Sequence, residues 1–256
     1  MDQTLITLLK RKAQQYNHPD FIAKDPISVP HRFTEQQDIE IAGFFAALLA
    51  WGNRTSIINS CNKIMAMMGD QPYAFILAHQ ASDLKPMLQF AHRTFNATDL
   101  YYCIAFLQAH YRQYPSLEDA FVPHSTYTAA DVGKALIHFH HYFFSLPEFP
   151  ERTRKHIANP ERKSACKRLN MYLRWMVRKD KMGVDFGLWK KLRPEHLICP
   201  LDVHVAHVAH RLGLIPSIKA DWNNALLLTE QLRLIDKKDP SQFDYALFGL
   251  GAEERF

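Results

Sequence analysis

Apolar residues recur at helical spacing along most of the chain, and prolines and glycines cut that pattern into segments. Thr4 to Tyr16 carries Leu5, Leu8 and Leu9 on one side and Lys10, Arg11 and Gln14 on the other, which predicts a short amphipathic helix. Pro19, Pro26 and Pro30 keep residues 17–36 from forming a long helix. Asp38 to Trp51 is apolar on nearly every side after Glu40 and predicts a central core helix. Gly52 breaks it. Ser56 to Met68 then forms a second helix, burying Ile57, Ile58, Cys61, Ile64, Met65 and Met68. Further helices are predicted over Leu84–Phe90, Asp99–Tyr114, Ser116–Phe121 and Thr128–Leu146, and Pro147 and Pro150 mark a linker.

Beyond the linker, Ser164 is placed to cap a helix over Ala165–Arg178. Ala165, Leu169, Tyr172, Leu173 and Met176 line its buried face, and Lys167, Asn170, Arg174 and Arg178 are expected to point outward. Lys179–Ile198 is broken by Gly183, Gly187 and Pro194 and anchored by Trp189. Pro200 blocks any helix from running in from upstream, and Asp202 stands where an N-cap belongs. Val205, Val208, Ala209 and Leu212 follow as one apolar stripe, and Gly213 stops the helix. His204, His207 and either His210 or Arg211 fall on its exposed side. Asp221–Leu234 and Pro240–Leu250 complete a chain whose pattern predicts an all-α fold.

The length of 256 residues allows a full core, as one large domain or two lobes. Charge changes the picture more. The net charge is +5, but Glu151–Arg193 holds 14 Lys/Arg against 4 Asp/Glu, a net of +10, leaving 17 against 22 elsewhere. Such a basic stretch on an otherwise acidic chain suits a phosphate backbone, or simply a solvated face. Cys61, Cys103, Cys166 and Cys199 show no metal-type spacing and fit free thiols in a reducing compartment. No signal region opens the chain, and the longest apolar run, Ile41–Trp51, is too short to span a bilayer. The expectation is a soluble cytoplasmic protein. His138 with His141, and His204 with His207, are three apart, but no further ligand is fixed beside them, so no metal is expected.

Pro200-Leu-Asp-Val-His204, followed by an apolar helix ending in Arg211-Leu212, resembles the catalytic-aspartate segment of the helix-hairpin-helix DNA glycosylase superfamily. Endonuclease III and the 8-oxoguanine DNA glycosylases belong to it, and the whole chain is similar to a divergent bacterial group at its edge. Ala46-Ala-Leu-Leu-Ala-Trp-Gly-Asn-Arg-Thr55 is similar to the stretch carrying that superfamily's intercalating polar residue. The strict register falls on Gly52, which has no side chain to insert, so the resemblance implies Asn53 or Arg54. Ala165–Arg178 is similar to the second helix of the hairpin, entered there by Leu-Pro-Gly-Val-Gly. The matching stretch here is Asn159-Pro-Glu-Arg-Lys-Ser164, with Glu161 and Lys163 where the glycines stand. The lyase lysine's position falls at Ala165, and Lys167 is the nearest candidate, 35 residues before Asp202. Archaeal 8-oxoguanine glycosylases have a similarly long spacer. Phe243–Gly251 resembles the last core helix of endonuclease III, but the cluster-binding cysteines do not follow, so no iron–sulfur cluster is expected.

The resemblance implies a two-lobed helical bundle of the glycosylase type over 1–256, with lobes of about 38–146 and 151–251. It implies a monomer that binds double-stranded DNA without a cofactor. The activity implied is a base-excision repair N-glycosylase acting on a damaged base, an oxidised purine by analogy, flipped out of the duplex. Asp202 would stabilise the cationic sugar, and Lys167, as nucleophile, would add AP lyase activity. Arg162, Lys163, Ser164, Arg174, Arg178 and His204, with Asn53 and Arg54, would contact DNA. The alternative is a helical DNA-binding protein without catalysis, in which Asp202 only caps its helix and Lys167 only meets phosphate. An enzyme needs Asp202 open to solvent and within reach of Lys167; a binder can seal it.

Overall fold

The computed structural model describes residues 2–124, 126–254 and 256. Its helices are α1 (Gln3–Tyr16), α2 (Gln36–Leu48), α3 (Arg54–Met67), α4 (Pro72–Ala78), α5 (Ala97–Tyr111), α6 (Glu118–Phe121), α7 (Gly133–Phe143), α8 (Lys167–Val177), α9 (Val203–Arg211), α10 (Trp222–Arg233) and α11 (Asp244–Ala252). Short 3₁₀ turns join them. Among the described residues the only sheet is a hairpin of β1 (Ala91–His92) and β2 (Phe95–Asn96), pairing Ala91 with Asn96 and His92 with Phe95. The fold is therefore mainly helical, as the pattern predicts. Among the described residues no helix is long and apolar enough to cross a membrane.

Local chemistry explains where the elements depart from expectation. Pro86 sits in the first turn of Lys85–Gln89, and that stretch is 3₁₀ rather than α-helical. α4 has no counterpart in the predicted elements; Pro72 opens it, at a position where proline loses no helical hydrogen bond. α7 starts five residues late because Asp131 Oδ1 accepts from Gly133 N at 2.7 Å and Tyr127 OH donates to Asp131 O at 2.6 Å. The basic, aromatic Phe90–Phe95 segment is the hairpin.

The chain forms two compact units. One is Ile22–Thr126 with His138–Ile157. Its centre is α2, buried on every side from Ile39 to Leu48. Phe121 and Phe139 stack at 4.1 Å, and Phe106 meets Phe143 at 4.6 Å. Glu40 is fully buried in this core. It accepts from Ser116 Oγ at 2.6 Å, Tyr111 OH at 2.8 Å, Leu117 N at 2.9 Å and Gln36 Nε2 at 3.0 Å. A buried carboxylate persists because its lone pairs are used in this way. Asp99, also fully buried, closes a capping box at the start of α5 and takes Thr153 Oγ1 at 2.7 Å and Arg152 Nη1 at 2.6 Å.

The other unit is Met1–Phe21, Tyr127–Ile137 and Ala158–Phe256. These units are not continuous stretches of the chain. α1 belongs here because it packs on α11, and the Tyr127–Ile137 segment because Val132 N donates to His196 O at 2.9 Å. A Cβ on Gly249 would stand 2.1 Å from the Tyr16 ring, so the α1–α11 contact depends on glycine. α11 also packs on α9. α8 runs through the middle, buried continuously from Leu169 to Val177.

That burial overturns the outward-facing stripe expected on this helix. Asn170, Arg174 and Arg178 are 1%, 3% and 3% exposed. Arg174 pairs with Asp244 through Nη1 and lies 3.4 Å from Asp185 through Nε. Arg178 meets Asp180 at 2.6 Å, Asp239 at 2.8 Å and Asp185 at 3.0 Å. Both guanidinium groups also lie over the Tyr245 ring, at 4.3 and 5.7 Å. Helical periodicity places the two arginines on one face but cannot say that four aspartates, two of them more than 60 residues away, will cover it.

Two stability outcomes follow from these buried charges. Glu40→Ala leaves several buried donors without an acceptor and should lower unfolding free energy by about 3 kcal/mol. Urea denaturation reads this, and an unchanged midpoint contradicts it. Arg174→Glu or Arg178→Glu places like charges together in a dry site. Each should cost at least about 3–5 kcal/mol and abolish the cooperative thermal transition of wild type. A folded, soluble Arg174→Glu protein would show that the aspartate network is not structural.

Candidate active site

Asp202 reaches its place through the local rules of the chain. Pro200 ends the preceding segment, and Asp202 caps α9, with Oδ1 accepting from Val205 N at 2.9 Å. Its second oxygen faces the amine of Lys167, the first residue of α8, at 3.9 Å from Nζ. The two side chains are 30% and 26% exposed, so the pair opens to solvent without being fully hydrated. Met171 Sδ lies 3.8 Å from the same amine. An ion pair this long and this exposed contributes at most about 1 kcal/mol to stability. The pair is not what holds α8 to α9.

The turn that delivers Lys167 is unusual. Asn159 Oδ1 accepts from Glu161 N at 2.9 Å and caps a 3₁₀ turn, Pro160–Arg162. Lys163 then adopts the left-handed region at φ 60°, and Cys166 does so at φ 50°. Non-glycine residues there cost roughly 1 kcal/mol or more each. Trp222 N donates to Lys163 O at 3.1 Å, and Ser164 bridges Asp221, which ties the turn to the start of α10. Ser164 caps Cys166 N at 3.2 Å, so α8 begins at Lys167 rather than at Ala165. Lys163 thus takes the backbone conformation that glycine adopts most easily. The stretch before this turn, Glu151–His156, is 3₁₀ rather than α-helical, with Pro150 at its N-cap and Pro147 and Pro160 beyond its ends. A hairpin of two α-helices is therefore not what precedes Lys167.

Behind the pair stands Asp244, the first residue of α11 and 6% exposed. Burial pushes its carboxyl up to about 6; Arg174 and Lys167 pull it down, and the charges of Asp202 and Asp185 push it further. Cys199 lies in the same field, fully buried, with its thiol raised well above the usual range by desolvation. Lys167, Asp202, Asp244 and Arg174 thus form one electrostatic cluster within a single unit of the chain. Helical spacing did not reveal Asp244 or Asp185. The one local signal for Asp244 is a charged residue inside the apolar run Phe243-Asp-Tyr-Ala-Leu-Phe248.

The remaining expected site residues divide into three groups. Arg162 and Lys163 are exposed, and Ser164 is half-buried, on the turn before α8. His204 is exposed two residues beyond Asp202, beside Val203, which is 57% exposed. Arg174 and Arg178 are withdrawn from any surface role by their burial among aspartates. Asn53 and Arg54 belong to the other unit, where Asn53 Oδ1 accepts from Ser56 N at 3.1 Å and caps α3. Asn53 is thus engaged in holding a helix end. Among the described residues no group of three His, Cys, Asp or Glu side chains is gathered so as to hold a metal ion. All four cysteines are free and buried.

No curated protein and no solved structure matches the chain. Residues 25–253, which include α2 to α11 and the whole Lys167–Asp202–Asp244 cluster, match the family described as "Protein of unknown function (DUF2400)", and the chain belongs to that family.

Proposed function

We propose that this chain is a DNA N-glycosylase in which Asp202 and Lys167 carry the chemistry. The observation that carries the reading is their approach to 3.9 Å across 35 residues of sequence, at a part-exposed position. Stability does not require that approach. A mere helix cap has no need of a lysine before its free oxygen, and a mere binder has no need to leave the oxygen open.

In this reading duplex DNA is held through its phosphates by Arg162, Lys163 and neighbouring surface cations. The target nucleotide leaves the stack. As the glycosidic bond breaks, positive charge grows on the sugar, and the carboxylate of Asp202 stabilises it. The electron pair of that bond leaves with the base. The neutral amine of Lys167 adds to C1′ and gives up a proton; the C1′–O4′ bond then opens, O4′ leaves as the 4′-hydroxyl after taking a proton, and the resulting Schiff base allows strand cleavage by β-elimination. Lys167 enters attack as a free amine, so its proton must first pass to a base or to solvent. The substrate class, a damaged purine, rests on the resemblance alone.

Two outcomes test the reading. Duplex DNA should bind at low salt and release steeply as salt rises. Arg162→Glu and Lys163→Glu should weaken binding for all sequences alike, and loss of each contact should cut the salt slope by roughly 1. Absence of binding at low ionic strength removes the DNA partner.

For the chemistry, Asp202→Asn retains the cap through its side-chain oxygen but removes the charge, and base release should fall about 10²–10³-fold. Lys167→Ala should abolish borohydride trapping on an abasic duplex. Wild-type rates in Asp202→Asn, with circular dichroism unchanged, would end the catalytic assignment of that carboxylate.

A further inference from the structure

The hairpin of β1 and β2 turns through Arg93 and Thr94, in the unit that holds neither Lys167 nor Asp202. Arg93 stands there at φ 55°, in the left-handed region that glycine, asparagine or aspartate fills most readily in such a turn. Its guanidinium lies over the half-buried indole of Trp51, 4.9 Å from the ring centroid. Gly52 makes room for the stack: a Cβ there would stand 2.1 Å from Arg93 Nη1. The preceding residue fixes the approach. His92 is buried, with Nδ1 2.9 Å from Ser60 Oγ on α3 and its ring edge-on to Trp51 at 6.3 Å. A cation–π contact at an exposed position returns no more than a left-handed non-glycine residue costs. Stability therefore does not call for arginine at this turn.

The stack occupies one face of the guanidinium and leaves its donors unused. Arg93 is exposed, and among the described residues no hydrogen bond or ion pair engages its N–H groups. The sequence brings no acid to either side of the stack: residues 41–69 and 84–98 carry Arg54, Lys63, Lys85 and Arg93 and no Asp or Glu. A further cation, Arg152, reaches the same turn and donates to Thr94 O at 3.1 Å, while its own partner, Asp99, is fully buried. A flat cation held by one face, with its N–H groups unpaired and no carboxylate supplied, suits a phosphate, which takes two parallel N–H bonds from one guanidinium. We propose that Arg93, held on Trp51, is a phosphodiester contact for duplex DNA, carried by the hairpin. Stacking removes much of the side chain's freedom beforehand, so the contact forms at a smaller entropic cost than one from a loose lysine. The proposal rests on the reading of DNA as the partner, but not on the chemistry assigned to Lys167 and Asp202.

The experiment reads Arg93 directly on the full chain. Arginines are modified with p-hydroxyphenylglyoxal at low salt, alone, with a short DNA duplex, or with pyrophosphate at equal phosphate concentration. Peptide mass spectrometry gives the modification of Arg93 relative to Arg112, an exposed residue at the other end of α5, roughly 20 Å along that helix. The duplex should lower the ratio several-fold, and pyrophosphate should not. Arg93→Gln should weaken duplex binding for all sequences alike and cut the salt slope by roughly 1. Arg93→Lys keeps the charge but not the flat stack, so the slope should stay while affinity falls. An unchanged ratio with bound duplex overturns the proposal, as does equal protection by pyrophosphate, which marks a site for free phosphate. So does wild-type affinity and slope in Arg93→Gln with the thermal transition intact. Should that variant not fold, protection in the wild type decides alone. A wild-type chain that binds no duplex strikes both the DNA reading and this contact; binding with Arg93 unprotected strikes this contact alone. Failure of borohydride trapping strikes only the chemistry of Lys167 and leaves the protection of Arg93 standing.

Discussion

Two buried arginines, Arg174 in the last turn of α8 and Arg178 at its C-cap, set the terms for their whole unit. A guanidinium removed from water must be paired and fully hydrogen-bonded, or its desolvation outweighs any gain. Arg174 and Arg178 are paired by drawing in Asp180, Asp185, Asp239 and Asp244, two from the irregular stretch after α8 and two from the approach to and start of α11. Segments with no regular structure of their own acquire a fixed path because charges bind them to the helix. α11 is placed by the same pairing, and with it the surface that α1 and α9 pack against.

The candidate site lies at one end of this arrangement. Lys167 begins the helix that the arginines anchor, and Asp244 begins the helix they draw in. Asp202 enters from a third direction, fixed by its own capping bond to α9. The approach of Lys167 to Asp202 is weak in itself. It is held by stronger interactions around it. Two left-handed residues, Lys163 and Cys166, show that the chain accepts strain to start α8 where it does. The positive charge of the 151–193 segment also changes meaning. Three of its arginines, Arg152, Arg174 and Arg178, are neutralised by aspartates, so fewer cations face solvent than the count of residues suggests.

The helices were largely legible because apolar spacing and breakers act locally. Asp202, Asp221 and Gly213 cap or stop their helices as the residue types require. The Asp202 segment also pointed to Lys167, and the fold brings the two together. What escaped the sequence depends on distant partners. The polar stripe of α8 has the spacing of a solvated face, yet Asn170, Arg174 and Arg178 are buried, since pairing with aspartates is invisible to periodicity. Asn53 reads as a residue available for contact, but its side chain is engaged with Ser56 N. Asp244 gave one faint sign, a charge in an apolar run, and its role came only from the helix opposite.

The central claim is that the fold brings Lys167 and Asp202 together for chemistry at C1′ of a DNA sugar. The most direct measurement is to reduce the wild-type protein with borohydride on a duplex carrying a single abasic site and map the cross-linked peptide. The account predicts one adduct, on Lys167. Its absence, or an adduct spread over exposed lysines such as Lys163 and Lys181, would contradict it.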